Sequence, residues 1–244
     1  MALYKITISY DGTDFYGYQR QLNDRTVQGD IEQVLKKLGW TGRTIMSSGR
    51  TDCGVHAKGQ IAAFELDWKH SDNELQKAIN FHLPSDISIN SAKKAEEGFH
   101  PRFNAKFREY RYQVYIGSTV EPLEERYRWR IWPEPNFQLM NQAAKIICGE
   151  HNYRLYGKPP KKGGRTQRNV VFAEWRRNKG NKAFFLIRAN SFLYHMVRRI
   201  TLILIRVGQG KVMMDTLVDS FEGVDNLPSG IAPARGLFLD KIIY

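Results

Sequence analysis

The sequence predicts an α+β fold in which two halves share the element order βαββαβ, the ferredoxin-like arrangement. Strand and helix patterns follow one another in this order twice along the chain, although no residue-level repeat is visible. Hydrophobic residues make up 42% of the 244 residues, which is typical of a globular protein. We therefore expect two domains, residues 1–104 and 105–244, whose antiparallel sheets flank a central basic cleft.

The elements of the first half follow from alternation, helical spacing and capping residues. Alternating apolar residues predict a half-buried strand that ends at an Asp11-Gly12 turn. Thr26 and Gly39 fit the two ends of a helix, and Ser71 with Glu74 three residues later forms a capping box. The predicted elements are a strand over 4–10, a helix over 27–38, strands over 43–47 and 59–66, a helix carrying Leu75, Ala78 and Ile79, and a strand over 87–92.

The second half follows after a crossover over residues 97–104 and shows similar patterns. It holds one more helix than the first half, placed before its final strand. The predicted elements are a strand over 105–116, a helix over 137–148, strands over 170–176 and 183–189, a helix over 192–207, a shorter helix carrying Met214, Leu217, Val218 and Phe221, and a strand over 237–243.

The net charge indicates a polyanionic partner. Lys and Arg number 37 against 25 Asp and Glu, a formal net charge of +12. We see no basic amphipathic terminal helix and no lipidation signal, so nucleic acid is favoured over an acidic membrane surface. The sequence also shows no signal peptide and no bilayer-length apolar run. Cys53 and Cys148 lack zinc-ligand spacing, so we expect a reduced, cytoplasmic setting.

Residues 157–169 concentrate basic side chains among glycines and prolines, and the segment is too polar to pack. We interpret it as a flexible basic arm that follows phosphates, and a solvated linker explains the composition equally well. Its basic residues are Lys158, Lys161, Lys162, Arg165 and Arg168.

The loop over residues 47–60 has more ionisable side chains than a turn between two strands requires. Asp52, Cys53 and His56 would be a metal cluster only with a third or fourth convergent ligand, and none is near in sequence. Cys53 with His56 would make a thiolate nucleophile, but no orienting Asn or Asp is identifiable. His56 alone is more often a hydrogen-bonded structural histidine. Asp52 therefore remains as a nucleophile or base.

Two further segments carry candidate side chains. Arg198 lies in a predicted helix that is apolar on both sides, where an arginine needs a carboxylate or phosphate partner. The alternative is a surface arginine lying over apolar neighbours. Tyr110 and Tyr112 alternate with arginines along a predicted strand, a pattern that suits stacking on bases and suits a sheet core equally well.

Seven short motifs, each present once, follow one another along the chain. They are Tyr10-Asp11-Gly12-Thr13, Thr26-Val27-Gln28-Gly29, the 49–57 loop with Gly49-Arg50-Thr51-Asp52, Phe99-His100-Pro101-Arg102-Phe103-Asn104-Ala105, Tyr110-Arg111-Tyr112, His195-Met196-Val197-Arg198, and Ala232-Pro233-Ala234 with Gly236-Leu237. Together they make the chain resemble the tRNA pseudouridine synthase A family over nearly its whole length. Two positions depart from the family pattern: Tyr18 stands where tryptophan is usual, and Cys53 where a smaller or charged residue is common.

The resemblance implies a pseudouridine synthase fold with ferredoxin-like, or RRM-like, halves. It implies an isomerase that converts uridine to pseudouridine at positions 38, 39 and 40 of the tRNA anticodon stem-loop, without cofactor or metal. Family members are homodimers in which one tRNA contacts both subunits.

The resemblance also assigns roles to individual residues. Asp52 corresponds to the catalytic aspartate, and Arg50 to the residue that helps flip the target nucleotide. Tyr110 corresponds to the tyrosine that stacks on the target base. Arg198 corresponds to the arginine that pairs with the aspartate, and Leu237 to a leucine that lines the pocket.

Two hypotheses from other classes compete with this one. A non-catalytic RNA-binding protein explains the charge and the aromatic residues, but not why an anion, Asp52, lies in a basic loop. A metal-dependent nuclease would need more clustered carboxylates than Asp11, Asp14 and Asp52 supply.

Overall fold

Alternating burial of Tyr4, Ile6 and Ile8 marks the first strand, as the sequence predicts. The structure is a computed structural model that describes residues 1–244, and its chain forms two compact units. Unit 1 comprises Met1–Lys106 and Phe238–Tyr244, and unit 2 comprises Phe107–Leu237. The chain therefore enters unit 2 once and returns to unit 1 for its last seven residues.

Unit 1 contains strands in the order β4-β1-β3-β10, with the short β2 paired to β3. All of its pairings are antiparallel except the one between β10 and β3, which is parallel. Helices α1 and α2 bury their apolar residues, and Thr26 and Ser71 cap them as predicted. Its elements are β1 (Ala2–Tyr10), α1 (Val27–Lys37), β2 (Met46–Ser47), β3 (His56–Leu66), α2 (Asp72–His82), β4 (Ile87–Lys94) and β10 (Leu237–Ile243).

Unit 2 contains antiparallel strands in the order β5-β9-β8-β7, with β6 parallel to β5. Helices α4 and α5 approach closely at Gly208, where a Cβ would stand 2.6 Å from Met140 Cγ. Its elements are β5 (Phe107–Ile116), α3 (Pro122–Glu125), β6 (Trp129–Ile131), α4 (Phe137–Ile147), β7 (Gly149–Asn152), β8 (Gln167–Arg177), β9 (Lys182–Ala189), α5 (Met196–Gly208), α6 (Met214–Glu222) and a 3-10 turn at Ala234–Gly236.

The predicted α+β class with mostly antiparallel pairing is confirmed, while several details of the second half differ. The predicted final strand has the expected bounds, but it pairs with β3 of unit 1, with Phe238 opposite His56. The short elements α3, β6 and β7 were not predicted. The boundary expected between residues 104 and 105 lies two residues before the start of unit 2. The division into domains 1–104 and 105–244 stays a prediction.

Several predicted boundaries were wrong. The strand predicted over 43–47 comprises only Met46–Ser47, and the strand predicted over 59–66 begins at His56. Helix α5 begins at Met196 and not at 192, because Tyr194 pairs its backbone with Lys158 and His195 has a left-handed φ of 66°. The basic segment predicted over 157–169 ends earlier, since β8 begins at Gln167. No helix of the chain is long and apolar enough to cross a membrane.

Candidate active site

The backbone that carries Asp52 is held from both sides. Asp52 is half-buried in the loop between β2 and β3. The Thr51 hydroxyl lies 2.7 Å from the hydroxyl of Tyr10, and the Thr51 carbonyl accepts a hydrogen bond of 3.1 Å from the Tyr18 N–H. The Asp52 carbonyl accepts from the Val55 N–H at 3.1 Å. The carboxylate therefore extends from a fixed turn and not from a mobile loop.

Two glycines of the sequence motifs let this loop approach its neighbours. A Cβ on Gly12 would stand 2.0 Å from the Val55 carbonyl oxygen. A Cβ on Gly17 would stand 2.8 Å from the Thr51 carbonyl oxygen, and Gly17 has a φ of +92°, which favours glycine. The segment over 12–18 is thus a support for the Asp52 loop, which explains glycine at both positions.

His56 is a buried structural residue. Its Nδ1 accepts a hydrogen bond of 3.0 Å from the Gly12 N–H. Nδ1 also lies 3.1 Å from Asp11 Oδ1. The His56 ring stacks on Phe238 at 4.5 Å between centroids. These contacts fix the end of the Asp52 loop.

The beginning of the loop is fixed by Gln60. Its side-chain N–H donates to the Gly49 carbonyl at 2.9 Å, and its Oε1 accepts from the Ser48 hydroxyl at 2.5 Å. Arg50 follows directly and is exposed, as is Cys53 beyond Asp52. The loop therefore presents a cation and a thiol to solvent from a rigid base.

In unit 2, Arg198 ties the first turn of α5 to a distant segment. Its Nε donates to the Ala232 carbonyl at 2.7 Å, and the Ala232 N–H donates to the Arg198 carbonyl at 3.1 Å. Arg198 is half-buried, and the residues around it on α5 are buried on both sides of the helix, as predicted. Two hydrogen bonds thus join the motif that ends in Arg198 to the motif that begins at Ala232.

Tyr112 packs beneath the same segment. Its hydroxyl donates to the Pro233 carbonyl at 2.7 Å, and a Cβ on Gly236 would stand 2.7 Å from its ring. Burial raises the pKa of the Tyr112 hydroxyl, which keeps it protonated and able to donate. Leu237 follows this contact and is buried. Tyr112 is therefore a core residue.

Tyr110 is half-buried on β5, opposite Ile187 of β9. Its ring meets the ring of Phe192 edge to face, with centroids 5.2 Å apart. This contact orients the Tyr110 ring on the sheet.

The basic segment before β8 is held at both ends. Lys158 and Tyr194 exchange backbone hydrogen bonds of 3.2 and 2.9 Å, and the Thr166 carbonyl accepts from the Tyr153 N–H at 3.1 Å. The predicted free arm is therefore limited to the middle of the segment. Arg168 turns back onto the carbonyls of Arg165 and Gln167, while Lys161, Lys162 and Arg165 are exposed.

Neither a cluster of metal ligands nor the cavity beside α1 forms part of the candidate active site. No group of three or more His, Cys, Asp or Glu side chains that could hold a metal ion is present, and both cysteines are free thiols. A polar cavity of about 380 Å³ lies beside α1, lined among others by Arg20, Asp30 and Lys36, and none of the predicted site residues lines it.

Sequence reasoning found the motifs but missed most of the residues that support them. Unit 1 brings Arg50 and Asp52 together on one anchored loop, and unit 2 joins Arg198 to the segment before Leu237. The supporting residues Tyr10, Thr51 and Gln60 were not singled out. Tyr10 and Thr51 stand in the quoted motifs, which was the available signal, but the sequence assigned them no role.

Comparison with known proteins gives consistent matches. A family model described as tRNA pseudouridine synthase matches residues 6–104 and 143–244. A tRNA pseudouridine synthase A of Geobacillus sp. (strain WCH70) is 38% identical over 244 residues, which cover 98% of this chain and 97% of that protein. A tRNA pseudouridine synthase A of Fervidobacterium nodosum is 36% identical over 241 residues, 98% of each chain. A solved Cbf5-Nop10-Gar1 complex covers 84% of this chain and 44% of its own, at a TM-score of 0.36 and 12% identity, a similarity too weak to support an argument.

Proposed function

Because the chain belongs to the tRNA pseudouridine synthase family, it is an isomerase of tRNA uridines, and we propose that it acts at positions 38, 39 and 40 of the anticodon stem-loop. Asp52 is the catalytic residue in this proposal. The observation that supports it is the anchored loop, in which Tyr10, Tyr18 and Thr51 hold the backbone on the N-terminal side of one half-buried carboxylate.

Isomerisation requires the uracil to leave C1′ of the ribose, turn, and rejoin C1′ through C5. No atom is gained or lost overall, because the proton lost from C5 is balanced by one gained at N1. The Asp52 carboxylate assists at the ribose, either by attacking C1′ or as the base that starts elimination. Both routes need an ionised carboxylate in a fixed position, which the anchored turn supplies.

A uridine in a stem-loop is stacked and must be extruded before C1′ can be reached, at a cost of a few kcal/mol. Arg50 is exposed beside Asp52 and holds the displaced strand in this proposal. Tyr110, with its ring oriented by Phe192, replaces the lost stacking on the target base.

Arg198 pairs with Asp52 and Leu237 lines the base pocket in this proposal. Because the Arg198 Nε donates to the Ala232 carbonyl, this proposal assigns the pairing with the carboxylate to the terminal nitrogens of Arg198. Exposed Lys161, Lys162 and Arg165 contact tRNA phosphates. The enzyme works in the cytoplasm as a homodimer, without cofactor or metal.

The test compares the parent chain with Asp52→Asn on unmodified tRNA, without added metal or cofactor. The parent should form pseudouridine at positions 38–40 in chemical mapping. Asp52→Asn should form none, yet bind tRNA within several-fold of the parent, because phosphate contacts supply the affinity. Asp24→Asn, an exposed aspartate in the same unit, is the matched control and should keep full turnover.

Two outcomes would contradict the proposal. Substantial turnover by Asp52→Asn would remove Asp52 from the chemistry. A parent chain that binds tRNA tightly but forms no pseudouridine would indicate the non-catalytic RNA-binding protein.

A further inference from the structure

Tyr194 and His195 form an aromatic pair at the surface of unit 2. Their rings stack with centroids 3.7 Å apart and planes inclined by 27°. Tyr194 is 54% exposed, which is high for a tyrosine that already covers another ring. Because His195 occupies one face of the Tyr194 ring, the opposite face is the one available to a ligand.

The backbone conformation that creates this pair is strained. His195 is the one non-glycine residue in the chain with positive φ, at 66°. Its side chain makes no capping hydrogen bond to α5, so helix capping does not account for the conformation. A strained conformation at an exposed aromatic pair indicates a binding role more than a packing role.

The pair is joined to the basic segment. Lys158 and Tyr194 are bridged by two backbone hydrogen bonds, of 3.2 and 2.9 Å. A Cβ on Gly157 would stand 2.5 Å from the Tyr194 carbonyl oxygen, so glycine permits this close approach. The Tyr194 ring and the start of the basic segment are therefore fixed relative to each other.

The sequence segments on both sides of the pair are almost free of acidic residues. No Asp or Glu occurs in residues 151–173 or 175–214. Lys158, Lys161, Lys162 and Arg165 are all exposed on the basic segment. An exposed aromatic face beside exposed cations is the combination that binds single-stranded nucleic acid, because the ring stacks on a base while the cations contact phosphates.

We propose that Tyr194, backed by His195, is a stacking platform for an unpaired base of tRNA, with the neighbouring lysines on the adjoining phosphates. This inference rests on the proposed function, because tRNA supplies the base. It concerns an unpaired nucleotide, since bases within a duplex already stack on one another.

The experiment measures the dissociation constant for unmodified tRNA with the full chain and four variants. Tyr194→Ala and Tyr194→Leu should each raise the dissociation constant about 5- to 10-fold, because both remove the π face. Tyr194→Phe should stay within about two-fold, because it keeps that face. Phe81→Ala removes an aromatic ring that is 83% exposed on α2 and should bind like the parent.

Two further measurements separate stacking from charge and from folding. The slope of log affinity against log salt should be the same in Tyr194→Leu and the parent, because stacking releases no counterions. The loss should disappear on a fully duplex RNA of equal length. Tyr194→Leu keeps a large apolar side chain against His195, so it provides the answer if Tyr194→Ala is destabilised.

The inference is overturned if Tyr194→Leu binds tRNA like the parent, or if Tyr194→Phe loses as much affinity as Tyr194→Leu. Pseudouridine formation by the parent is scored on the same samples. If the parent forms pseudouridine and Tyr194→Leu binds tRNA like the parent, the stacking-platform inference is wrong and the proposed function stands. If the parent forms no product but Tyr194→Leu binds tRNA weakly, the proposed function fails and the platform is supported.

Discussion

Gly17 shows how one residue without a side chain determines the position of the loop that carries Asp52. Its φ of +92° and its distance from the Thr51 carbonyl leave no room for a Cβ. We expect Gly17→Ala to lower the free energy of unfolding by about 2–3 kcal/mol. We also expect it to reduce turnover, because the Asp52 loop must move to make room for the new methyl group. Urea unfolding and single-turnover kinetics measure the two effects.

Gly180→Ala is the control for this prediction. Gly180 also has a positive φ, +70°, but nothing lies within 4 Å of a Cβ there. It should lose only about 1–2 kcal/mol of stability from backbone strain and keep its turnover. Equal turnover in the two variants would show that the Gly17 contact does not position the loop.

At the residue scale, the sequence singled out Asp52 and Arg198 as candidates but did not predict what surrounds them. Asp52 follows from an unusual density of ionisable groups and from family motifs. The hydrogen bond between the hydroxyls of Tyr10 and Thr51 joins positions 41 residues apart, and that from Arg198 to Ala232 spans 34 residues. No local pattern encodes such contacts, so they could not be predicted.

Among the elements, the capping box of α2 is both predicted and observed. The Glu74 carboxylate accepts hydrogen bonds from the hydroxyl and the N–H of Ser71, at 2.7 and 2.9 Å. These bonds hold the pKa of Glu74 below its ordinary value near 4.5, with the hydroxyl contributing most. Because the folded-state pKa is lowered, the stabilisation is present above pH 4.5 and is lost as the pH falls through the folded-state value.

We therefore expect Glu74→Gln to lower the urea midpoint at pH 7 and to match the parent near pH 3. Urea titrations at several pH values test this. Glu65→Gln replaces an exposed glutamate on β3, outside the capping box, and is the control. A Glu74→Gln deficit that is unchanged down to pH 3 would show that the hydrogen bonds of the ionised carboxylate are not its cause.

The contrast between α2 and α5 explains which elements could be predicted. Helices α1 and α2 begin at capping side chains, which are local in sequence, and both starts were predicted. Helix α5 begins where Tyr194 pairs with Lys158, a contact 36 residues away that stops the helical pattern short. Strands β6 and β7 were missed because three or four residues are too few to show alternation.

For the whole molecule, the net charge of +12 should control tRNA affinity through phosphate contacts. Log affinity should fall linearly with log salt, by about 0.7–0.9 per phosphate neutralised. Replacing Lys161 and Lys162 with Gln should flatten this slope by about one to two units. It should also lower the affinity for good and poor tRNA substrates alike, because phosphate contacts carry no sequence information. Salt titrations of the double variant and the parent measure the slope.

A second double variant controls for charge alone. Lys36 and Lys37 are exposed at the end of α1, and their replacement with Gln removes the same charge from unit 1. It should leave the slope nearly unchanged. Identical slopes for all three proteins would indicate that the basic segment is a solvated linker.

The family resemblance also predicts the assembly. Light scattering at micromolar concentration should return twice the 28.3 kDa mass of the chain. A species of 28.3 kDa would contradict the predicted homodimer.

Strand β10 follows unit 2 in the sequence but pairs in unit 1, so unit 1 can be completed only after unit 2 has been synthesised. Phe238 covers the His56 ring and pairs beside it, so the start of β3 stays open until residues 238–243 have left the ribosome. Until residues 238–243 have been synthesised, the nascent chain therefore carries the Asp52 loop beside a sheet that lacks β10. We therefore expect a chain cut before residue 238 to lack the ring that covers His56 and the strand that pairs beside it.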